Sequence, residues 1–130
     1  MATEKEKFIE NLKRRSKKLA TDVILFCDTL KNSRATPVIT YQLIKSATSV
    51  GANYRAACRG RSKAEFFSKI CIVVEEADES EYWLEVIDET NLSNDHKELS
   101  RLLIEANEIS RIMTKAKSSA YIKKPVNSNK

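Results

Sequence analysis

Glycine and proline are nearly missing from this chain of 130 residues, which has two of each. Strands and tight turns need more of both, so the scarcity points to long helices with few connections. No apolar run approaches the ~20 residues that cross a bilayer, and no membrane partner is expected. The start, Met1 to Lys7, lacks the basic-then-apolar layout of a secretion signal, so a cytoplasmic location is expected. Three cysteines, Cys27, Cys58 and Cys71, are odd in number, far apart and without a CxxC pairing. They read as small buried apolar residues in a reducing compartment.

Catalytic signatures are also missing. The single histidine, His96, falls at the start of a helix, far in sequence from every cysteine. No ExxH accompanies the glutamates, so the ligands of a di-iron bundle are missing. Glu75 with Glu79 and Glu81 with Glu85 are one-turn carboxylate pairs without a supporting loop, and read as solvated charge. There is no phosphate-cradling glycine loop and no GxSxG. The expectation is a protein that is not an enzyme, with no cofactor and no metal.

What is present is helical periodicity. Phe8, Leu12, Leu19, Val23, Phe26 and Leu30 form one stripe on a helix from about Thr3 to Asn32. Thr36 as a cap, followed by Pro37, opens a second helix carrying Ile39, Leu43, Ala47, Val50, Tyr54 and Ala57. Gly60 is expected to end it in a left-handed conformation. Ser62 with Glu65 makes a capping box for a third helix, with Phe66, Ile70, Val73, Val74, Ala77, Leu84 and Ile87 on its main stripe. After a connection at Asn91 to Asp95, Leu99 to Ala116 define the fourth. The predicted fold is all-α, an antiparallel up-down-up-down four-helix bundle over residues 1–117. Residues 118–130 read as a polar, disordered tail.

Charge is unevenly spread along the chain. From Ser62 to Asn91 there are nine acidic residues against two lysines, whereas Thr36 to Arg61 has four basic residues and no acid. On the third helix Ile72, Trp83 and Val86 fall away from the main stripe, on the side of Glu76 and Glu79. This set is a candidate subunit interface, since tryptophan anchors are enriched there. Opposite the core stripe of the second helix lie Ser49, Ala52 and Ala56, rimmed by Lys45, Arg55 and Arg59. Such a pair of faces suggests a head-to-tail contact between copies, or else two ordinary solvated surfaces. Arg15 and Glu81 project near the core stripes and can either pair across the bundle or reach water. Gly51 and Ala47 read as close-packing positions.

Basic residues offer the opening toward function. Lys13, Arg14, Lys17 and Lys18 are dense on the first helix, and Arg55, Arg59 and Arg61 follow at the end of the second. Such patches attract phosphates with little sequence discrimination, although lysine-rich clusters also serve as solubilising surface.

Several segments carry a family resemblance. Arg15-Ser16, Leu19-Ala20, Asp22-Val23, Gln42-Leu43, Ser46 to Arg55, Lys69-Ile70, Glu76-Ala77, Glu79-Ser80 and Tyr82-Trp83-Leu84-Glu85 occur in order. Over about Phe8 to Ile112 the chain resembles bacterial four-helix-bundle proteins encoded in intervening sequences of large-subunit ribosomal RNA genes. Gly60 departs from the more usual alanine at the end of the second helix. The resemblance implies a homopentameric ring. The chain is also similar to the accessory protein of diversity-generating retroelements, implicated in binding nucleic acid and its reverse transcriptase. No catalytic residues carry over. Two expectations follow: a ring that binds RNA through its basic residues, or a protein-interaction scaffold whose basic charge serves assembly.

Overall fold

Three connections are all that so few turn residues allow, and the chain makes three. The computed structural model describes residues 1–121, which form α1 (Glu4–Cys27), α2 (Thr36–Cys58), α3 (Lys63–Glu89) and α4 (His96–Ala120), without a strand among the described residues. A 23-residue helix such as α2 is about 35 Å long. The loop after it, four residues from Arg59 to Ser62, spans at most ~14 Å, so α3 has to fold back beside α2. Contacts agree. Arg15 meets Glu105 while Asp22 meets Arg101, so numbers rise on α1 as they fall on α4. The first and third loops lie at one end, where the Lys31 amide donates to the Leu92 carbonyl at 2.9 Å. Each helix touches its two neighbours around a square, giving an antiparallel four-helix bundle.

Core residues follow the expected stripes. Leu12, Leu19, Val23, Leu43, Val50, Ile70, Val73, Leu84, Ile87, Leu102, Ile109 and Met113 are all sealed from water. Four serines are buried too, Ser93 in the third loop and three on the helices, with their hydroxyls satisfied. Ser80 Oγ donates to the Glu76 carbonyl at 2.9 Å and bonds Ser46 Oγ at 3.0 Å across the α2–α3 contact. Ser16 donates back to the Lys13 carbonyl. Phe8, expected on the stripe, is half-exposed because it lines an open cleft at the start of α1 and is not packed in the core.

Helix ends differ from the sequence reading in several places. α1 stops at Cys27, and the chain turns through Asp28 to Leu30. Thr36 is not the cap of α2 but its first residue; Ser33 Oγ accepts from the Thr36 amide at 3.1 Å, and Pro37 follows at the second position. Gly60 does not terminate α2 in the left-handed region. It is small for lack of room, because a Cβ there would sit 3.1 Å from the Ala57 carbonyl oxygen. The left-handed terminator is Asn91 instead, at φ 55°, closing α3. The Leu92 amide reaches back to the Ile87 carbonyl and the Asn91 amide to Asp88, the pattern that asparagine tolerates in place of glycine. The Ser62 cap forms as expected, but Glu65 reaches back to the Arg61 amide rather than to Ser62. Ser118 to Ala120, assigned to the tail, continue α4, and residues 122–130 lie outside the described residues.

Arg15 does not pair with Glu81. It forks onto Glu105 at 2.7 and 3.0 Å and reaches Glu108 at 3.0 Å, while Glu81 accepts from Asn107 on α4. Two turns further along α1, Asp22 holds Lys18 at 2.8 Å and Arg101 at 2.9 Å. These pairs close the α1–α4 seam, where helix contact is sparsest. Burial raises the Asp22 pKa, but the two hydrogen-bonded cations outweigh it and hold the carboxyl below its ordinary range. With a folded value below the unfolded one, ionised Asp22 stabilises the fold above the unfolded pKa of about 4, and that contribution disappears as pH falls through the folded value. Asp22→Asn is therefore expected to cost up to about 1 kcal/mol at neutral pH and to flatten the acid limb of stability measured by urea unfolding. An unchanged acid limb would exclude this role.

Candidate nucleic-acid interface

The surface with the strongest chemical character begins with a glycine. Gly51 sits inside α2, where glycine costs up to ~1 kcal/mol relative to alanine, so its place needs a steric reason. A Cβ at Gly51 would lie 3.2 Å from the carbonyl carbon of Ser16, 3.3 Å from its oxygen and 3.4 Å from the Lys17 nitrogen. The α2 backbone is thus pressed against that of α1. Beside this approach Ala20, Thr48 and Ala52 are also small, so no long side chain fills the furrow between the helices.

The outcome is an open groove of about 660 Å³ with a floor of small residues and two charged walls. Lys13, Arg14 and Lys17 rise from α1, and Arg55 and Arg59 from α2; among the described residues Glu10 is the one acid lining it. Lys13 bonds Glu10 at 3.3 Å and Arg14 bonds Asn11 at 2.8 Å, both on their own helix. Lys17, Arg55 and Arg59 have no carboxylate partner among the described residues. Two basic clusters some 40 residues apart in sequence therefore share one groove, with uncommitted cations on both walls. Lys18 stands instead in the α1–α4 seam with Asp22, and Arg61 lies in the α2–α3 loop outside the groove lining. Sequence reasoning missed Glu10, Ala20, Thr48 and Gly51 as lining residues. For Ala20, Thr48 and Gly51 the signal was small size at helical spacing on facing helices; for Glu10 it was its place one turn before Arg14.

The candidate assembly residues occupy the neighbouring α2–α3 side. Ile72, Glu76, Trp83 and Val86 are half-buried and Glu79 is exposed. Trp83 and Val86 lean partly on the bundle's own core. The Trp83 indole donates to Glu79 at 3.3 Å and stands edge-on to Tyr82 with ring centres 5.0 Å apart. Burial raises the Glu76 pKa, as does Glu79, while Lys45 of α2 opposes the rise. Lys45 is thus close to Glu76, and the acidic and basic faces are adjacent strips rather than opposite sides of the molecule. Ser49 and Ala56 are half-buried on α2, whereas Ala52 lies on the floor of the basic groove. Val38, Tyr41 and Tyr82, more than half exposed, add apolar surface that the sequence reading did not single out.

A second cleft, of about 530 Å³, adjoins the basic groove through Lys13 and opens between Phe8, Ile9, Leu12, Tyr54, Cys58 and Phe66. Burial, and then Cys58, push the Tyr54 pKa upward. All three cysteines are free, and burial pushes the Cys27 thiol up to about 11. Among the described residues no group of three His, Cys, Asp or Glu side chains is placed to hold a metal ion, and no helix is long and apolar enough to cross a membrane.

The chain is, by class, a four-helix bundle with a cationic furrow between its first two helices. It belongs to the 23S rRNA-intervening sequence protein family, which it matches over residues 11–115. Among solved structures it is similar to a protein of unknown function from the S23 ribosomal protein family of Bacteroides thetaiotaomicron VPI-5482. That likeness has a TM-score of 0.76 at 28% identity, covering 85% of this chain and 97% of the other. No curated protein matches the chain.

Proposed function

We propose that this protein is a non-enzymatic, cytoplasmic RNA-binding subunit that assembles with copies of itself into a ring, expected to be a pentamer. The observation that carries the RNA reading is the meeting of Lys13, Arg14 and Lys17 with Arg55 and Arg59 in one groove. Cations gain by leaving bulk solvent only against anions, and a linear groove of them suits a phosphate backbone. Repetition around a ring would multiply each weak contact.

The test is a gel shift or anisotropy titration with 23S rRNA fragments across a salt series. Affinity should fall steeply with salt, by about 0.9 in log–log slope per phosphate engaged. Replacing Lys17, Arg55 and Arg59 together by alanine should weaken binding at least tenfold and remove roughly 2.7 from that slope. Lys18→Ala, on the other flank, should bind as the parent does. Absence of any shift at low salt would sink the reading. A protein-interaction scaffold without nucleic acid would then stand, favoured by the exposed Tyr41, Tyr82 and half-buried Trp83.

A further inference from the structure

We infer that the groove between α1 and α2 takes the sugar-phosphate backbone of one strand of an RNA duplex, with the bases turned away from the protein. This rests on the RNA-binding reading above and specifies which form of RNA the groove is built for.

The walls give the first argument. Lys13 and Lys17 are one turn apart on α1, and Arg55 and Arg59 one turn apart on α2. Four residues of helix rise about 6 Å, so each wall repeats its charge at roughly the step between successive phosphates of a strand. The arginine wall offers planar forks that match phosphate oxygens in pairs, and the lysine wall offers point charges opposite. A strand lying along the groove meets cations on both sides.

The floor gives the second argument, by what it denies a base. No aromatic side chain lines the groove, so an unpaired base finds no surface to stack on. Ala20, Gly51 and Ala52 present no hydrogen-bonding side chain. The one hydroxyl on the floor, Thr48 Oγ1, is already donated to the Ile44 carbonyl at 2.7 Å. The floor is thus left with no free side-chain donor for a base edge, and with one hydroxyl oxygen as acceptor. Bases that enter lose water and gain at most that acceptor, whereas paired bases already have partners and can stay outside.

The third argument concerns order. A single strand has to give up conformational freedom to place successive phosphates between two fixed walls. A duplex presents them already spaced. It also holds more condensed counterions per phosphate to release, which steepens the salt dependence from about 0.7 to about 0.9 per contact. Both differences favour the duplex, and neither depends on its sequence.

The experiment uses the full chain with three probes of one length: a 20-base-pair RNA duplex, each of its separated strands, and a duplex of scrambled sequence. At 100 mM salt the duplex is expected to bind at least tenfold more tightly than either strand, and the scrambled duplex within about twofold of the first. Ala52→Trp, an exposed floor position, adds bulk without changing charge, and is expected to weaken duplex binding tenfold while helical content by circular dichroism stays unchanged. Separated strands that bind as tightly as the duplex, or an Ala52→Trp protein with parental duplex affinity, would overturn the inference and leave RNA binding itself standing. Failure of every probe at low salt would instead strike the underlying reading.

Discussion

Gly51→Leu is expected to lower the melting temperature by about 5–15 °C. The added Cβ alone would approach the Ser16 and Lys17 backbone to 3.2–3.4 Å, tighter than ordinary contact, and the remaining carbons of leucine have no space between two helical backbones. Backbone atoms cannot rotate away as a side-chain tip can, so α1 and α2 have to separate. Overpacking of this kind costs about 1–3 kcal/mol or more, and each kcal/mol shifts melting of a domain this size by roughly 4 °C. Gly51→Ala is the informative contrast. Its methyl asks the neighbouring backbone to move by only a few tenths of an ångström, and alanine returns up to ~1 kcal/mol of helix propensity. That protein should melt within a few degrees of the parent. Equal melting of the leucine and alanine proteins would show that α1 and α2 are not in close contact at this point.

Trp83→Ala is expected to convert the proposed ring to monomers at micromolar concentration while most helical content remains. Buried aromatic anchors at interfaces lose about 2–4 kcal/mol on truncation, and a ring loses that at every contact. In the isolated bundle the cost is smaller, because Trp83 is only half-buried and its indole nitrogen is held by Glu79 on its own helix. Light scattering of parent and variant separates the outcomes. A parent that is already monomeric would remove the assembly proposal. A Trp83→Ala protein with the parent's mass would move the interface elsewhere, with the exposed Val38 and Tyr41 of α2 next in line. Tyr41→Ala then provides the second measurement.

The adjacency of Lys45 and Glu76 bears on how such a ring closes. The acidic aromatic strip lies on α3 and the small-residue strip on the adjacent α2, close enough for Lys45 to act electrostatically on Glu76. In the proposed head-to-tail contact, these two strips are neighbouring rather than diametrically opposed halves.

Helix number, order and core faces were set by the sequence itself. Leu19, Leu43, Ile70 and Leu102 recur at helical spacing with their neighbours, and apolar periodicity is a local property that survives without knowing the partner helix. The short connections then force antiparallel neighbours by reach alone. The Ser62 cap is local too, since its bond spans three residues. Asn91 is the exception among local features. Its left-handed turn was legible in principle but hidden by the commoner expectation that glycine, here Gly60, fills that role.

Tertiary structure decided everything that joins residues far apart. Arg15 chooses Glu105 over Glu81 because the two helices in contact there are α1 and α4, a matter of which seam each side chain overhangs. Lys17 and Lys18 are adjacent in sequence, but 100° of helix turn sends one to the groove with Arg55 and the other to Asp22. The groove itself exists only because Gly51 and Ser16 let two backbones meet. Composition announced the positive charge; the closeness of α1 and α2 turned two separate basic patches into one furrow, because charge is carried by residues while concentration of charge is a property of distance in space.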